Sequence, residues 1–264
     1  MKKNFFAVLI ILLLFAQLVS VAALSSGEAK QEWQNAKTAT KTAKDIYNDA
    51  RIARAADPTP ENKQAVVDTG KELLQSALNE AEAWLNWKNA EADEDTEIPS
   101  ELKQEIKDDI AANLAKLPEL RTDVDNAGNE LELGLVFLKL IGKYFELLAD
   151  VAKDAGKIWS FKMTLRADTA ADFEASLREA ANGIADNTAI LAKLDQASAE
   201  ISTARTNIAN AESEYNLVVI PGTPLIKFAN GNNYLRIAQG NLISAHGYLN
   251  QAYRLLSQAG GSSE

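Results

Sequence analysis

From Ile190 to Leu256 the chain alternates large and small residues at spacings of four and three, and this pattern restricts the fold more than any other feature. Ile190, Leu194, Ala197, Ile201, Ala204, Ile208, Ala211, Tyr215 and Val218 fall on one helix face. Phe228, Gly231, Leu235, Ala238, Leu242, Ala245, Leu249, Ala252 and Leu256 fall on another. Such a spacing is the seam of a helix packed lengthwise on a neighbour, and Ala or Gly at alternate positions lets two axes approach to the low end of the usual ~8–10 Å. The short link between the two runs makes them antiparallel. A second stripe on the later helix, Tyr234, Ile237, Asn241, Ser244, Tyr248 and Leu255, requires a second neighbour, so the hairpin belongs to a bundle.

The same signature recurs upstream. Ser25 and Glu28 form a capping box ahead of a seam of Ala29, Trp33, Ala36, Thr40, Ala43, Tyr47 and Ala50. Thr59 caps the next helix, with Pro60 at its first position and Val67, Gly70, Leu74, Ala77, Ala81 and Trp84 in register. From Pro99 a longer pattern begins: Leu120, Val124, Ala127, Leu131, Gly134, Leu138, Ile141, Phe145, Leu148, Ala152, Ala155 and Trp159 keep the alternation. Helix 99–160 is then either continuous, kinked at Pro118, or broken near Gly128 in "DNAGN". Leu133 to Leu148 is the most apolar stretch after the N-terminus and is expected to be the central, most buried helix. "TLRADTAAD" is expected to turn, with a helix starting near Asp168 or Thr169.

The fold class is therefore all-α: an elongated antiparallel helical bundle of about six long helices with Ala-rich heptad seams. It is either one bundle over 24–264 or two three-helix bundles in tandem, with sub-bundles 28–127 and 128–258. The tandem form is analogous to spectrin-like rods in architecture alone.

Lys2 and Lys3, an apolar run from Phe5, and Val21 and Ala23 ahead of Leu24 read as a secretory signal peptide over residues 1–23. The alternative is an uncleaved anchor over residues 5–24. Either places the chain outside the cytoplasm, secreted or at the cell surface. The formal charge is −10, and removing residues 1–23 takes away two lysines and no acid, leaving −12. So acidic a chain with no basic cluster is a poor partner for nucleic acid. It has no cysteine, which removes disulfides, thiol chemistry and thiolate metal sites.

Catalytic chemistry has little to work with. The single His246 rules out paired Glu-x-x-His sites and the His-Glu-x-x-His zinc motif, and it reads as a histidine at a helix-packing boundary or on the surface. "DEDTE", Asp93 to Glu97, lacks the glycine and the distal glutamate of a calcium loop and reads as a solvated linker. No metal ligand set, cofactor site or catalytic group is expected, and the chain is not read as an enzyme.

The exceptional stretch is "LVVIPGTPLI", residues 217–226, which carries no ionisable group at a turn where polar residues are the rule. Pro221, Gly222, Thr223 and Pro224 account for a corner, with Gly222 expected at positive φ. Leu217, Val218, Val219, Ile220, Leu225 and Ile226 are not needed for it. Full burial of each would contribute roughly 1.5–3 kcal/mol, so a cover is expected, either from this chain or from outside it. Trp84 and Trp87, three apart on one helix, are a weaker candidate surface.

The resulting expectation is an exported protein with a structural or protein-interaction role at the cell surface, binding an unknown partner or itself. One alternative is a membrane-interacting or pore-forming protein that contacts lipid at 217–226, helped by Leu133 to Leu148. The other is a small-ligand carrier with a pocket among Tyr234, Asn241, Ser244 and Tyr248.

Overall fold

The computed structural model describes residues 25–260, and every regular element among them is an α-helix. The export signal expected over 1–23, and the anchor alternative over 5–24, lie outside the described residues. In chain order the helices are α1 (Ser26–Ala56), α2 (Pro60–Glu94), α3 (Ser100–Leu114), α4 (Leu117–Asn126), α5 (Glu130–Ala181), α6 (Thr188–Asn216) and α7 (Pro224–Gly260). Only Ala115 and Lys116 separate α3 from α4, so the expected number of about six long helices holds. Among the described residues no helix is long and apolar enough to cross a membrane.

The chain divides into two compact units. One holds the described residues up to Thr96 together with Lys103–Ile141; the other holds Glu97–Leu102 and the described residues from Gly142 onward.

In the first unit α1 and α2 form an antiparallel hairpin. Ser25 caps α1 as the sequence predicts: its hydroxyl accepts from the Glu28 amide at 3.3 Å, and its own amide donates to Glu28 Oε2 at 3.0 Å. Thr59 caps α2, with Pro60 at the first turn, where a missing N–H costs nothing. The expected α1 seam is its least exposed face, and in α2 Val67, Gly70, Leu74 and Ala81 are buried. Val66, Leu78, Leu85 and Ala92 add further buried positions. The unit's core joins Leu74 and Leu78 to Leu117, Leu120, Val124, Ala127 and Leu133. Arg121 of α4 locks it from outside, donating to Asn79 at 2.7 Å and to Glu82 at 2.6 Å on α2.

The two breaks upstream of α5 have local causes. Pro118 has no N–H to give Leu114, and α3 ends there. After α4 the backbone of Ala127 turns extended (φ −64°, ψ 114°), and Asn129 restarts the helix, its Oδ1 accepting from the amides of Leu131 at 3.1 Å and Glu132 at 3.0 Å. Residues 130–141 then pack with the first unit, Leu133 entering its core, so the division falls after Ile141, later than the 127/128 boundary drawn from the sequence.

In the second unit α6 and α7 lie antiparallel against α5. All eight expected seam positions of α6 from Ile190 to Tyr215 are buried, followed by Val218. Leu235, Ala238, Ala245, Leu249 and Ala252 are buried on α7. The expected turn at "TLRADTAAD" does not form: α5 runs on to Ala181, with Thr169 Oγ1 donating to the Leu165 carbonyl at 2.9 Å. No Gly or Pro lies between Gly156 and Gly183 to stop it, and Asp168 pairs with Arg205 of α6 at 2.6 Å instead of capping a new helix.

Candidate contact surfaces

The corner at 217–226 sits on a rigid base in the second unit. The ring of Tyr215, completely buried, is wedged between two glycines: a Cβ on Gly156 would stand 2.4 Å from the ring, and one on Gly231 would stand 2.5 Å from it. Its hydroxyl donates to Asn232 Oδ1 at 2.7 Å. Burial pushes the phenol up to about 12. Phe228 packs at 5.8 Å from Tyr215 and 6.0 Å from Trp159, centroid to centroid.

Beyond this base the backbone closes on itself. The Val218 amide donates to the Tyr215 carbonyl at 3.0 Å, the Val219 amide to the Leu217 carbonyl at 3.0 Å, and the Lys227 amide to the Thr223 carbonyl at 3.0 Å. Gly222 does not take up positive φ, contrary to expectation. Its role is steric, since a Cβ there would come within 2.9 Å of the Val219 carbonyl oxygen.

The corner's six aliphatic side chains divide unequally. Val218 points inward and is fully buried, extending the core beyond Tyr215. Leu217, Val219, Ile220, Leu225 and Ile226 are between 44% and 69% exposed, so no other part of the described chain covers them. The nearest charges are tied back: Glu214 accepts from Asn230 at 3.1 Å and pairs with Lys227 at 3.2 Å. These hydrogen bonds, Asn230's first, hold the Glu214 carboxyl below its ordinary value.

Trp87 is used inside the first unit. It stacks on Trp33 of α1 at 4.9 Å and 20°, with the Lys88 ammonium 3.7 Å from its ring centroid. Trp84 and Trp87 are both half-buried.

The start of α5 is the largest departure from expectation. Leu131, Leu135 and Leu138 share one face and are between 59% and 74% exposed, while Leu133, Val136 and Leu140 face the core. In the second unit Tyr144 and Phe145 are about half exposed. Leu133 to Leu148 is therefore not the most buried helix. The seam that holds through Ala127 does not continue, because Gly128 and Asn129 lie outside any helix and α5 starts with its own rotational phase.

His246 is exposed, its Nε2 2.9 Å from Asn250 Nδ2. Asp93 pairs with Lys107 at 2.8 Å, and Glu97 with Lys162 at 3.1 Å. Asn241 donates to Glu200 of α6 at 2.7 Å, and Lys193 of α6 lies over Tyr248, so both serve the α6–α7 interface, while Ser244 is exposed. Among the described residues no group of three or more His, Asp or Glu is placed to hold a metal ion.

No family model, curated protein or solved structure matches the chain.

Proposed function

We propose that this chain is an exported helical-bundle protein with a structural or interaction role at the cell surface, that it works by contact and not by catalysis, and that the corner at 217–226 touches its partner, a protein or a second copy. The observation that carries this reading is the set of five exposed aliphatic side chains on a corner whose base is locked by Tyr215. A contiguous apolar surface on a rigid support is typical of contact sites, and exposing it to water has no structural benefit. A photo-reactive residue at position 220 tests the reading on intact cells that make the protein. It should give a discrete protein adduct that disappears when Leu225→Asp is added, while the same group at the exposed position 34 gives none. No adduct, or the same adducts from both positions, would oppose the proposal.

A second reading, shallow entry of the corner into a lipid bilayer, is favoured by one feature: residues 217–226 carry no ionisable group, and the charges behind them pair with each other. Flotation with neutral and anionic vesicles separates the two readings. Binding by the wild type that is lost on Ile220→Asp supports lipid entry; no binding to either vesicle removes it.

A further inference from the structure

The first unit contains an open groove of about 950 Å³ between α1, α2 and the first turns of α5. Its apolar wall is made by Val66, Leu73 and Leu74 of α2 with Leu133 and Phe137 of α5. Gly70 brings α2 close to α5, since a Cβ there would stand 2.4 Å from Leu133 Cδ2. Gly134 also lines the groove, and a Cβ on it would meet no atom within 4 Å.

The polar groups of this groove converge on α1. Arg54 is already committed: its Nε and Nη2 bind Glu130 at 3.0 and 2.8 Å, a bidentate pair that neutralises both charges. Arg51 is different. Its guanidinium lies 5.7 Å from the Tyr47 ring centroid, and among the described residues it meets no carboxylate. Tyr47 and Asn48, its neighbours on the lining, likewise spend no side-chain hydrogen bond on another described residue. The groove thus keeps one net positive charge in a chain of formal charge −10, with uncommitted donors beside it and an aliphatic wall beyond.

That combination selects a ligand class. Small-molecule sites run to roughly 300–1,000 Å³, mostly apolar with a few convergent polar groups. A small inorganic anion would satisfy Arg51 and leave the wall wet, and a neutral oil would leave the cation unanswered. We infer that the groove binds a single-chain amphiphile with one anionic head, the head held by Arg51 with Tyr47 and Asn48, the chain lying on Leu133 and Phe137. The inference is independent of the role of the 217–226 corner.

The test is a titration of the intact protein with a dansyl-labelled long-chain carboxylate below its micellar concentration, competed by dodecanoate, dodecyl phosphate and dodecanol. The wild type should bind the probe saturably, with displacement by at least one of the two anions and weaker displacement by the alcohol; which anion competes better identifies the head. Arg51→Gln should weaken the anions by roughly tenfold or more and leave dodecanol unchanged. Gly134→Phe points a ring into space that is open in the structure and replaces a glycine in the second turn of α5, so it should fold with an unchanged circular dichroism spectrum and lose all three ligands. Ile220→Asp should bind as the wild type does. The proposal is overturned by absence of saturable binding to the wild type, by undiminished anion binding in Arg51→Gln or Gly134→Phe, or by loss of binding in Ile220→Asp, which would move the ligand to the corner.

Discussion

The ring of Tyr215 on α6 lies against the backbone of Gly231 on α7 so closely that any side chain on the glycine would overlap it. Gly156 of α5 makes the same allowance on the other side, so three helices of the second unit converge on one aromatic ring directly beneath the exposed corner. Gly231→Ala and Gly156→Ala should each destabilise by about 1–3 kcal/mol, because the ring has no room to withdraw. Gly240→Ala, where a Cβ meets nothing within 4 Å, should stabilise by about 0.4–1 kcal/mol. Urea unfolding of the three variants reads both signs.

The same ring gives the unit an alkaline limit. Its phenol titrates near 12 when folded against an ordinary value of 10.0, so the unfolded chain releases this proton first. The folded state is therefore unpenalised below pH 10 and loses stability as pH rises through 10 towards 12, by roughly 2 kcal/mol from this group. Tyr215→Phe removes that component. The difference in unfolding free energy between wild type and variant should be flat from pH 7 to 9 and shift in the variant's favour by pH 11.

The outward face of α5 separates two neighbouring leucines by energy. Leu133→Ala removes a side chain from the core of the first unit and should cost about 2–5 kcal/mol. Leu131→Ala and Leu138→Ala should each stay within about 0.5 kcal/mol. Equal costs at 131 and 133 would restore the uninterrupted seam read from the sequence.

At the start of α1, the Ser26 amide donates to Glu94 Oε1 at 2.8 Å and its hydroxyl donates to Oε2 of the same carboxylate, which closes the open end of the α1–α2 hairpin. The hydroxyl bond chiefly, then the amide bond, hold the Glu94 carboxyl below its ordinary 4.5. A lowered carboxylate supports the fold above the ordinary value and ceases to do so as pH falls through the lowered one. Amide protection in the first turn of α1, corrected for intrinsic exchange, should fall below pH 4.5 in the wild type. In Glu94→Gln the fall should be smaller, the remainder coming from Glu28, whose carboxyl the Ser25 hydroxyl and then its amide also hold below the ordinary value.

These features differ in how far the sequence exposes them. The α6–α7 hairpin was legible position by position, because a short corner fixes its antiparallel register and each arm is one unbroken helix. In α5 the same 4, 3 spacing misled, since a heptad count carries phase only through continuous helix and Asn129 resets it. The absence of a turn at 164–172 was legible in part, since no Gly or Pro lies between Gly156 and Gly183, but the Arg205 partner of Asp168 is visible only in the packed unit. Leu217 to Ile226 could be picked out by composition, but whether anything covers them depends on every other element of the unit. The groove beside Arg51 left no mark, because its residues come from three helices at unrelated spacings.

The chain has no cysteine, so single thiols can report directly on the corner. The decisive measurement is the maleimide labelling rate of Ile220→Cys and Leu225→Cys, with Val218→Cys as the buried reference, in the purified protein and then on intact cells. Labelling should be fast at 220 and 225 and slow at 218 in the purified protein, with protection of 220 and 225 on cells. Slow labelling at 220 and 225 in the purified protein would show that the chain covers its own corner, and equal rates on and off cells would show that nothing else does. Either result contradicts a contact role for residues 217–226.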